Sequence, residues 1–399
     1  MSSKTFERLI KKNVVVQFFY IFLGSLFFKF IGLFIRTNKK MILFSSFGGK
    51  SFNDSPKEIY EEIFQKYGES FIYVWAFLDP RIHVIPDNCL KVKINSLKYF
   101  IYALKSKYWV TNVNIERGLH FKKRATVYLN TWHGLCLDYI GNDRKGRKDY
   151  NFKKMNYMCV SGFFDEKIYK TAFNLSDHQY LRCGMPRNDV LLNKNKTVEG
   201  IKKQLNIPLN KKIILYAPTW RENKNTKESN FFHFPLNLEE WNKCLGKEYI
   251  ILFRSHSITT NVDGVIFNDF CFDVSRFPDT SSILLISDIL ITDYSSILFD
   301  YALLGRPIFN FGYDYDEYSK EHGFYVDYEK EMTNGIIKEE HVLLDAIKNM
   351  NYNEQIEKTL RLKEKYIQFF DGTATKKCVE ALFKGDTKKW ELQLREQDM

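Results

Sequence analysis

The chain has 399 residues, of which 45% are hydrophobic and 16% aromatic, so it can bury a large core and is long enough for two domains of ordinary size. This composition excludes a disordered or fibrous protein. Lysine and arginine outnumber aspartate and glutamate by 59 to 48, which indicates anionic partners: phosphorylated substrates, nucleic acid or an acidic lipid surface.

The first predicted element is an apolar run, Val14 to Ile35, with basic residues on both sides. It is not a secretory signal, because it lacks a small-residue cleavage site and leads at once into a predicted core strand. A membrane span needs ~20 apolar residues, which the run nearly supplies, but it contains Lys29 and its flanks give no clear orientation. We favour a helix in the membrane interface over a span or a buried helix, and assign residues 1–40 to a membrane-associating segment.

Strands and helices then alternate along the chain, which indicates a parallel sheet. The predicted strands are Met41 to Gly49, Phe71 to Phe77, Tyr108 to Asn112 and Thr126 to Gly134. The predicted helices are Ser55 to Lys66 and Ser96 to Ser106. Residues 41–205 are therefore predicted to form a first Rossmann-like domain.

A second alternating series follows a stretch rich in Asn and Lys, Asn193 to Lys212. Its predicted strands are Ile213 to Thr219, Tyr249 to His256, Asp288 to Asp293 and Pro307 to Phe311, and its predicted helices are Ser281 to Ser287 and Ser295 to Leu304. Residues 206–399 are predicted to form a second Rossmann-like domain, with the helical segment Gln355 to Leu382 crossing back onto the first. The predicted fold class is α/β, with two such domains facing a cleft that receives the carboxyl ends of the strands.

The seven cysteines include no CxxC pair and are odd in number, which argues against a disulfide framework or a zinc module. They are Cys89, Cys136, Cys159, Cys183, Cys244, Cys271 and Cys378. This pattern indicates a reducing, cytosolic compartment.

His133 lies in the segment TWHG, where it follows a predicted strand and precedes a glycine that lets the backbone turn. A side chain with a near-neutral pKa at that place is suited to act as a general base on a hydroxyl group. A histidine hydrogen-bonded beneath a loop explains the segment equally well. A metal site formed with Cys136 is a weaker alternative, since no second pair of ligands follows.

Arg254, Ser255 and His256 also follow a predicted apolar strand. The guanidinium group can bind two phosphate oxygens at once, and the imidazole can donate to a phosphate oxygen or to a leaving phosphate. Together they suit a diphosphate, although an arginine at a strand end can also simply pair with an acid.

Ser295 and Ser296 begin a predicted helix, whose free N–H groups and positive dipole end favour phosphate. Serine is also a common helix N-cap, which is the structural alternative. Asp300 lies four residues after Ser296 on the same helical face, where it can accept hydrogen bonds from a polyol or lie as a surface charge.

Two further loops, APTWR (Ala217 to Arg221) and GMPRND (Gly184 to Asp189), complete a set of five strand-end sites that suit one phosphorylated, hydroxylated ligand. The sequence has no P-loop, GxGxxG or DxD-like triad, which disfavours a mononucleotide kinase and a dinucleotide dehydrogenase.

These segments resemble the CDP-glycerol glycerophosphotransferase family, the teichoic acid glycerol phosphate primases and polymerases. The matching segments are ILFSSFGGKSFNDSP, NTWHGLCLDYIG, GMPRND, YAPTWR, FRSH, SDILITDYSSILFDYALLGRPIFNF and DGTATKKCVEAL. The resemblance implies a fold similar to GT-B glycosyltransferases, with an acceptor domain followed by a donor domain. It also implies attack by an acceptor hydroxyl on the β-phosphorus of CDP-glycerol and release of CMP.

By the same resemblance, His133 is the general base and His256 assists the transferred phosphate and the departing CMP. The substrate-binding residues that it implies are Gly134, Leu135, Cys136, Leu137, Arg187, Pro218, Thr219, Arg254, Ser255, Ser295, Ser296 and Asp300. No cofactor or metal is expected. The expected partners are the donor, a lipid-linked glycan acceptor of teichoic acid or capsule synthesis, and the anionic cytoplasmic face of the membrane, but no nucleic acid.

The chain departs from the family at one place, where HGLCL stands for the usual HGTPLK, so that Leu135 and Cys136 replace a polar residue and a proline. This change affects the choice of donor or the acceptor pocket. CDP-ribitol as donor, or a nucleotide sugar used by a glycosyltransferase of the same fold, therefore stay open as alternatives.

Overall fold

The computed structural model describes residues 14–147, 150–192, 197–219, 231–255 and 261–385. The described helices are α1 (Val14–Phe34), α2 (Asp54–Tyr67), α3 (Leu97–Lys105), α4 (Phe163–Ala172), α5 (Asp189–Leu192), α6 (Val198–Gln204), α7 (Leu238–Leu245), α8 (Thr280–Ile286), α9 (Ile297–Ala302), α10 (Tyr315–His322), α11 (Tyr328–Glu331), α12 (Glu340–Lys348), α13 (Tyr352–Tyr366) and α14 (Ala374–Leu382). Short 3-10 turns cover Gly68–Ser70, Gly141–Asp143, Asp177–Gln179 and Pro186–Asn188.

The described strands form two large parallel sheets and one small one. They are β1 (Asn38–Ser45), β2 (Ile72–Phe77), β3 (Cys89–Lys93), β4 (Ser106–Thr111), β5 (Val127–Asn130), β6 (Tyr157–Val160), β7 (Tyr180–Arg182), β8 (Lys212–Ala217), β9 (Phe231–His233), β10 (Tyr249–Phe253), β11 (Asn261–Asp263), β12 (Cys271–Asp273), β13 (Ile289–Thr292) and β14 (Ile308–Asn310). The first sheet has the order β3-β2-β1-β4-β5-β6-β7, the second β12-β10-β8-β13-β14, and the third pairs β11 with β9.

Both large sheets reverse their strand order near the middle, as Rossmann-like sheets do. The reversal lies between β1 and β4 in the first sheet and between β8 and β13 in the second. The central strands are apolar and buried on both faces; Ile42, Leu43 and Phe44 of β1, for example, are fully buried. The predicted α/β fold with two Rossmann-like halves is confirmed.

Several predicted elements are shorter than expected, and three of them bear on the candidate site residues. β5 ends at Asn130, so that the TWHG segment is a loop, and β10 ends at Phe253, before Arg254. The helix expected at Ser295 begins at Ile297 and ends at Ala302.

The segment Gln355 to Leu382, predicted to be helical, contains two helices, α13 and α14, separated by residues 367–373. α14 packs on α2 of the first half, and Phe383, directly after it, stacks on Phe71 at 5.0 Å between ring centroids. The chain therefore returns to the first sheet, as the sequence predicted.

Helix α1 lies against the first half along one face only. Phe28 stacks on Phe100 of α3 with ring centroids 4.1 Å apart, and the Ser25 hydroxyl accepts a hydrogen bond from the His120 N–H at 2.9 Å. The opposite face carries large exposed apolar side chains: Phe18, Phe19, Phe22, Leu23, Leu26, Phe27, Phe30, Leu33 and Phe34. Among the described residues this helix, at Val16–Phe34, has the length and composition to cross a membrane.

Candidate active site in the cleft between the two sheets

The loop that carries His133 is shaped by side chains of the strand before it. The Asn130 amide oxygen accepts the Trp132 N–H at 2.8 Å, and Trp132 has a positive φ of 56°. The Trp132 ring packs into the core of the first half and lies 4.2 Å from the His133 ring, centroid to centroid. This packing fixes the histidine ring between a buried indole and the cleft.

The tautomer of His133 follows from one hydrogen bond. Its Nδ1 lies 2.7 Å from the Asn112 main-chain oxygen, which can only accept, so Nδ1 carries the proton and Nε2 is the basic nitrogen. Burial lowers the pKa of this imidazole, and the Asn112 carbonyl and Asp54 only partly oppose that effect. The ring is therefore neutral near pH 7, as a general base must be.

Gly134 brings the two halves of the molecule into direct contact. Its φ of +139° is a conformation that L side chains rarely adopt, and a Cβ on it would lie 2.4 Å from the Ser296 Oγ and 3.4 Å from an Arg187 nitrogen. Glycine is therefore required for two reasons, the backbone angle and the close approach of Ser296.

Arg187 bridges the two halves through a buried ion triad. Its guanidinium donates to Asp54 Oδ2, at the start of α2, and to Asp300 Oδ2, in α9, each at 2.8 Å. Asn188 donates to the other oxygen of Asp300 at 2.6 Å, and Asn112 to the other oxygen of Asp54 at 3.0 Å. The carbonyl that holds His133 and the amide that holds Asp54 thus belong to one residue, Asn112, at the switch point of the first sheet.

The charges of this triad shift two pKa values. Burial alone would raise the pKa of Asp54, but the charge of Arg187 and hydrogen bonds from Ser55, Arg187 and Asn112 outweigh it, and the pKa is lowered. Burial also acts against the Arg187 cation, yet Asp300 and Asp54 raise its pKa above the ordinary value. Asp54 and Arg187 are therefore ionised at neutral pH.

The second sheet contributes the loops after β8 and β13. Asp293 accepts the Thr219 N–H at 2.8 Å and its hydroxyl at 2.6 Å, which ties the two loops together beside the buried Pro218. Ser295 accepts a weak bond from the Ile297 N–H at 3.4 Å, whereas the Ser296 side chain caps no N–H of α9. The Ser296 hydroxyl points instead toward Gly134.

The structure does not place the Arg254 guanidinium as the sequence suggested. It donates to the main-chain oxygens of Val274 and Phe277, at 2.9 and 2.8 Å, and to the Thr280 hydroxyl at 2.8 Å. Arg254 thus anchors the segment that leads into α8 of its own half. The Ser255 N–H donates to the Ser275 hydroxyl at 2.9 Å, while His256, Trp220 and Arg221 lie outside the described residues.

The apolar residues after Gly134 have their side chains in the protein interior. Leu135 and Leu137 are 3% and 2% exposed and pack into the core of the second half, and the Trp132 indole N–H lies 3.2 Å from the Cys136 Sγ. The Leu137 carbonyl accepts the Tyr325 N–H at 2.8 Å. Any contact of Leu135 or Leu137 with a ligand therefore falls to the main chain.

The whole of this architecture matches a known group of proteins. A family described as CDP-Glycerol:Poly(glycerophosphate) glycerophosphotransferase matches residues 27–384. The chain belongs to this family. The resemblance inferred from the motifs, and with it the prediction of a glycerophosphotransferase-family enzyme, is confirmed.

Individual members of the glycerophosphotransferase family are similar over most of the chain. The teichoic acid glycerol-phosphate transferase of Staphylococcus aureus (strain NCTC 8325 / PS 47) is 36% identical over 369 residues, which cover 87% of this chain and 94% of that protein. The teichoic acid poly(glycerol phosphate) polymerase of Staphylococcus epidermidis is 36% identical over 351 residues, or 83% of this chain, and the chain spans about half of its length, 48%.

A solved structure of the wall teichoic acid polymerase TagF superposes with a TM-score of 0.81 and 32% identity, over 99% of this chain and 100% of that one. The predicted two-domain architecture is thus that of a glycerophosphotransferase-family protein of known structure.

Sequence reasoning missed four residues of this candidate site: Asp54, Asn112, Asn188 and Asp293. Asn112 lies just beyond β4 and Asp293 just beyond β13, whereas Asp54 begins α2 and Asn188 ends the 3-10 turn Pro186–Asn188. For Asn112 and Asp293, a polar side chain at a strand end was the available signal. What the sequence did not show is which of them pair across the cleft.

Proposed function

We propose that this chain transfers glycerol phosphate from CDP-glycerol to a hydroxyl group of a lipid-linked cell-envelope glycopolymer, with release of CMP. The observation that carries the proposal is the neutral His133, whose Nδ1 proton is held by the Asn112 oxygen and whose loop lies against Ser296 of the other half. Family membership and relatives named for glycerol phosphate transfer support the reaction class and the donor.

In the proposed reaction, Nε2 of His133 takes the proton of the acceptor hydroxyl as its oxygen attacks the β-phosphorus. The new P–O bond forms while the bond from that phosphorus to the oxygen of CMP breaks, and CMP leaves with the electron pair. Positioning and electrostatic stabilisation of the diphosphate supply most of the acceleration in such a reaction.

The second half is proposed to hold the diphosphate. Ser295, Ser296 and the loop of Pro218 and Thr219 lie beside one another at the switch point of the second sheet, where open α/β sheets bind ligands. By the family resemblance, His256 assists the departing CMP. Arg187 donates a hydrogen bond to Asp300 across the two halves. In this proposal the pair sets the distance between the halves.

The test is CMP release by the purified chain in detergent with a lipid-linked acceptor extract, using CDP-glycerol, CDP-ribitol or a nucleotide sugar as donor. Turnover of CDP-glycerol alone supports the proposal. Turnover of CDP-ribitol in its place would change the donor. Consumption of a nucleotide sugar, with neither CDP-polyol used, would replace the phosphotransferase by a glycosyltransferase.

We infer further that α1 lies in the surface of an anionic membrane with its exposed apolar face toward the lipid. Its other face is engaged by the first half, through Phe28 on Phe100 and Ser25 on His120, and a span would have to break those contacts. Lys29 is exposed on the same helix, which suits anionic headgroups. On this proposal the cleft lies at the cytoplasmic face of the membrane, where a lipid-linked acceptor is available.

Flotation with vesicles tests the inference. A Phe22→Asp/Phe30→Asp variant should lose binding to phosphatidylglycerol vesicles, while Ile82→Asp, at a 73% exposed apolar residue elsewhere, should keep it. Equal vesicle binding by both variants would show that the exposed face of α1 does not contact the membrane. Resistance of the bound wild type to alkaline carbonate extraction would show a span.

A further inference from the structure

Three cysteines that are far apart in the sequence meet in the core of the first half. Cys159 is in β6, Cys183 follows β7, and Cys378 is in α14, the helix that returns from the second half. All three are fully buried free thiols, and their Sγ atoms lie within 4.8 Å of one another. The Sγ atoms of Cys159 and Cys378 are 3.4 Å apart.

This spacing suits a shared cation. With metal–sulfur bonds of about 2.3 Å, three thiolates arranged around one ion have their sulfur atoms roughly 4 Å apart. Soft thiolate ligands in a closed, buried site select thiophilic ions such as Zn²⁺ or Cu⁺. The Cys183 Sγ also lies 3.2 Å from the Gly184 main-chain oxygen.

Cys271, a buried cysteine of β12 in the second sheet, lies outside this cluster and offers a matched control.

We propose that Cys159, Cys183 and Cys378 form a binding site for one thiophilic d¹⁰ cation, which joins the returning helix α14 to the first sheet. Binding replaces the thiol protons by metal–sulfur bonds and releases those protons, with no change in the oxidation state of sulfur. The site is separate from the proposed transfer reaction, since His133 and the ion triad contribute none of its ligands.

The position of the cluster explains what the ion would do. Cys183 is four residues before Arg187, and Asp189 accepts the N–H groups of Ala374 and Thr375, at 3.0 and 2.7 Å, at the start of α14. Fixing α14 therefore also fixes the turn that holds Arg187 between the two halves. Loss of the ion should loosen that turn together with the helix.

The experiment uses the full chain in a Cys244→Ser background, which removes the exposed thiol. Elemental analysis of the protein as isolated should find about one equivalent of zinc or copper, because the closed site releases its ion slowly. After that ion has been removed with a chelator, addition of Cd²⁺ should produce thiolate-to-cadmium charge-transfer absorption and raise Tm by several degrees above that of the stripped protein. Cys183→Ala should lose both effects, and the matched variant Cys271→Ala should keep both.

Three results would overturn the proposal. The first is equal cadmium absorption in the Cys183→Ala and Cys271→Ala proteins. The second is wild-type protein that takes up no cadmium even after mild warming, which opens the core. The third is a Cys159–Cys378 disulfide in peptide maps of the native protein. Should Cys183→Ala fail to fold, protection of the three thiols from alkylation by Cd²⁺ in the unsubstituted cluster decides the same question.

Discussion

Two loops of the molecule look alike in sequence and behave differently in the structure. Each follows an apolar strand and carries a residue that suits phosphate chemistry: His133 after β5 and Arg254 after β10. Asn112 and Trp132 hold His133 at the cleft, whereas carbonyl groups of Val274 and others draw the Arg254 side chain into its own half. A polar residue after a strand marks the edge of the sheet, but its neighbours decide whether it faces a ligand or anchors a loop.

Of the changes at the two loops, replacement of His133, the proposed general base, should have the largest effect on the rate of CMP release. His133→Ala should lower CMP release by about 10²–10⁴-fold, because it removes the proposed general base. His178→Ala, at an exposed histidine, is the control and should leave the rate unchanged. A His133→Ala protein that folds normally and keeps wild-type turnover would show that the ring is structural.

The pH dependence of CMP release by the wild type tests the same role of His133. An imidazole accepts a proton only above its pKa, and burial lowers the pKa of His133 below the ordinary value of about 6.5. The acidic limb of the CMP-release rate should therefore lie below pH 6.5. An acidic limb above that value would contradict the assignment of this base.

Substitution of Arg187, the arginine that bridges the two halves, should have the largest effect on the free energy of unfolding. Arg187→Ala leaves Asp54 and Asp300 buried without their cation, which should lower the free energy of unfolding by about 3–5 kcal/mol. Arg182→Ala, which breaks an ion pair whose arginine is 54% exposed, should change it little, because solvent screens the pair. Denaturant titrations measure both, and equal losses would contradict the buried triad.

The Arg187 effect should also depend on pH. Because the folded pKa of Asp54 is lowered, its stabilisation is fully present above the ordinary aspartate pKa of about 4 and is lost as the pH falls through the lowered folded value. The difference in unfolding free energy between wild type and Arg187→Ala should therefore shrink from pH 7 toward pH 2. A difference that stays constant would exclude the ionised pair.

Gly134→Ala tests the contact between the halves. The new Cβ would lie 2.4 Å from the Ser296 Oγ, in addition to the strain of a φ of +139°, which is about 1–3 kcal/mol. Gly118→Ala has a positive φ of 86° in open space, so it measures backbone strain without a clash. Tm and CMP release should fall further in Gly134→Ala, and similar losses in both variants would show that the halves separate easily.

The smallest effect is expected at Arg254. Arg254→Lys cannot reproduce the paired bonds to Val274 and Phe277, so it should lower stability by about 1–2 kcal/mol and leave KM for CDP-glycerol within roughly twofold. Steady-state kinetics measure a role of Arg254 in donor binding, and denaturant titration measures its role in stability. A tenfold rise of KM with unchanged stability would restore Arg254 as a phosphate ligand.

Much of the fold was predictable because buried strands and amphipathic helices produce regular patterns of apolar residues along the chain. The strands after Met41 and after Ile213, the helix near Ser55 and the return of the C-terminal helix were all expected and are confirmed. Errors fell at element ends, as at TWHG, where the Asn130 side chain binds the next turn and stops the strand. The domain limits at residues 40 and 205 and the role of His256 stay predictions.

By itself, the sequence determined the α/β class, the two sheets and the family, because each depends on local pattern or on short motifs, and it supplied the candidate residues of the cleft. Only the tertiary structure decided which of those residues meet. The Asp54–Arg187–Asp300 triad, the contact of Gly134 with Ser296 and the three-cysteine cluster each join segments far apart in the chain. Such pairings depend on how strands order within a sheet and how the two halves pack, which no local pattern records.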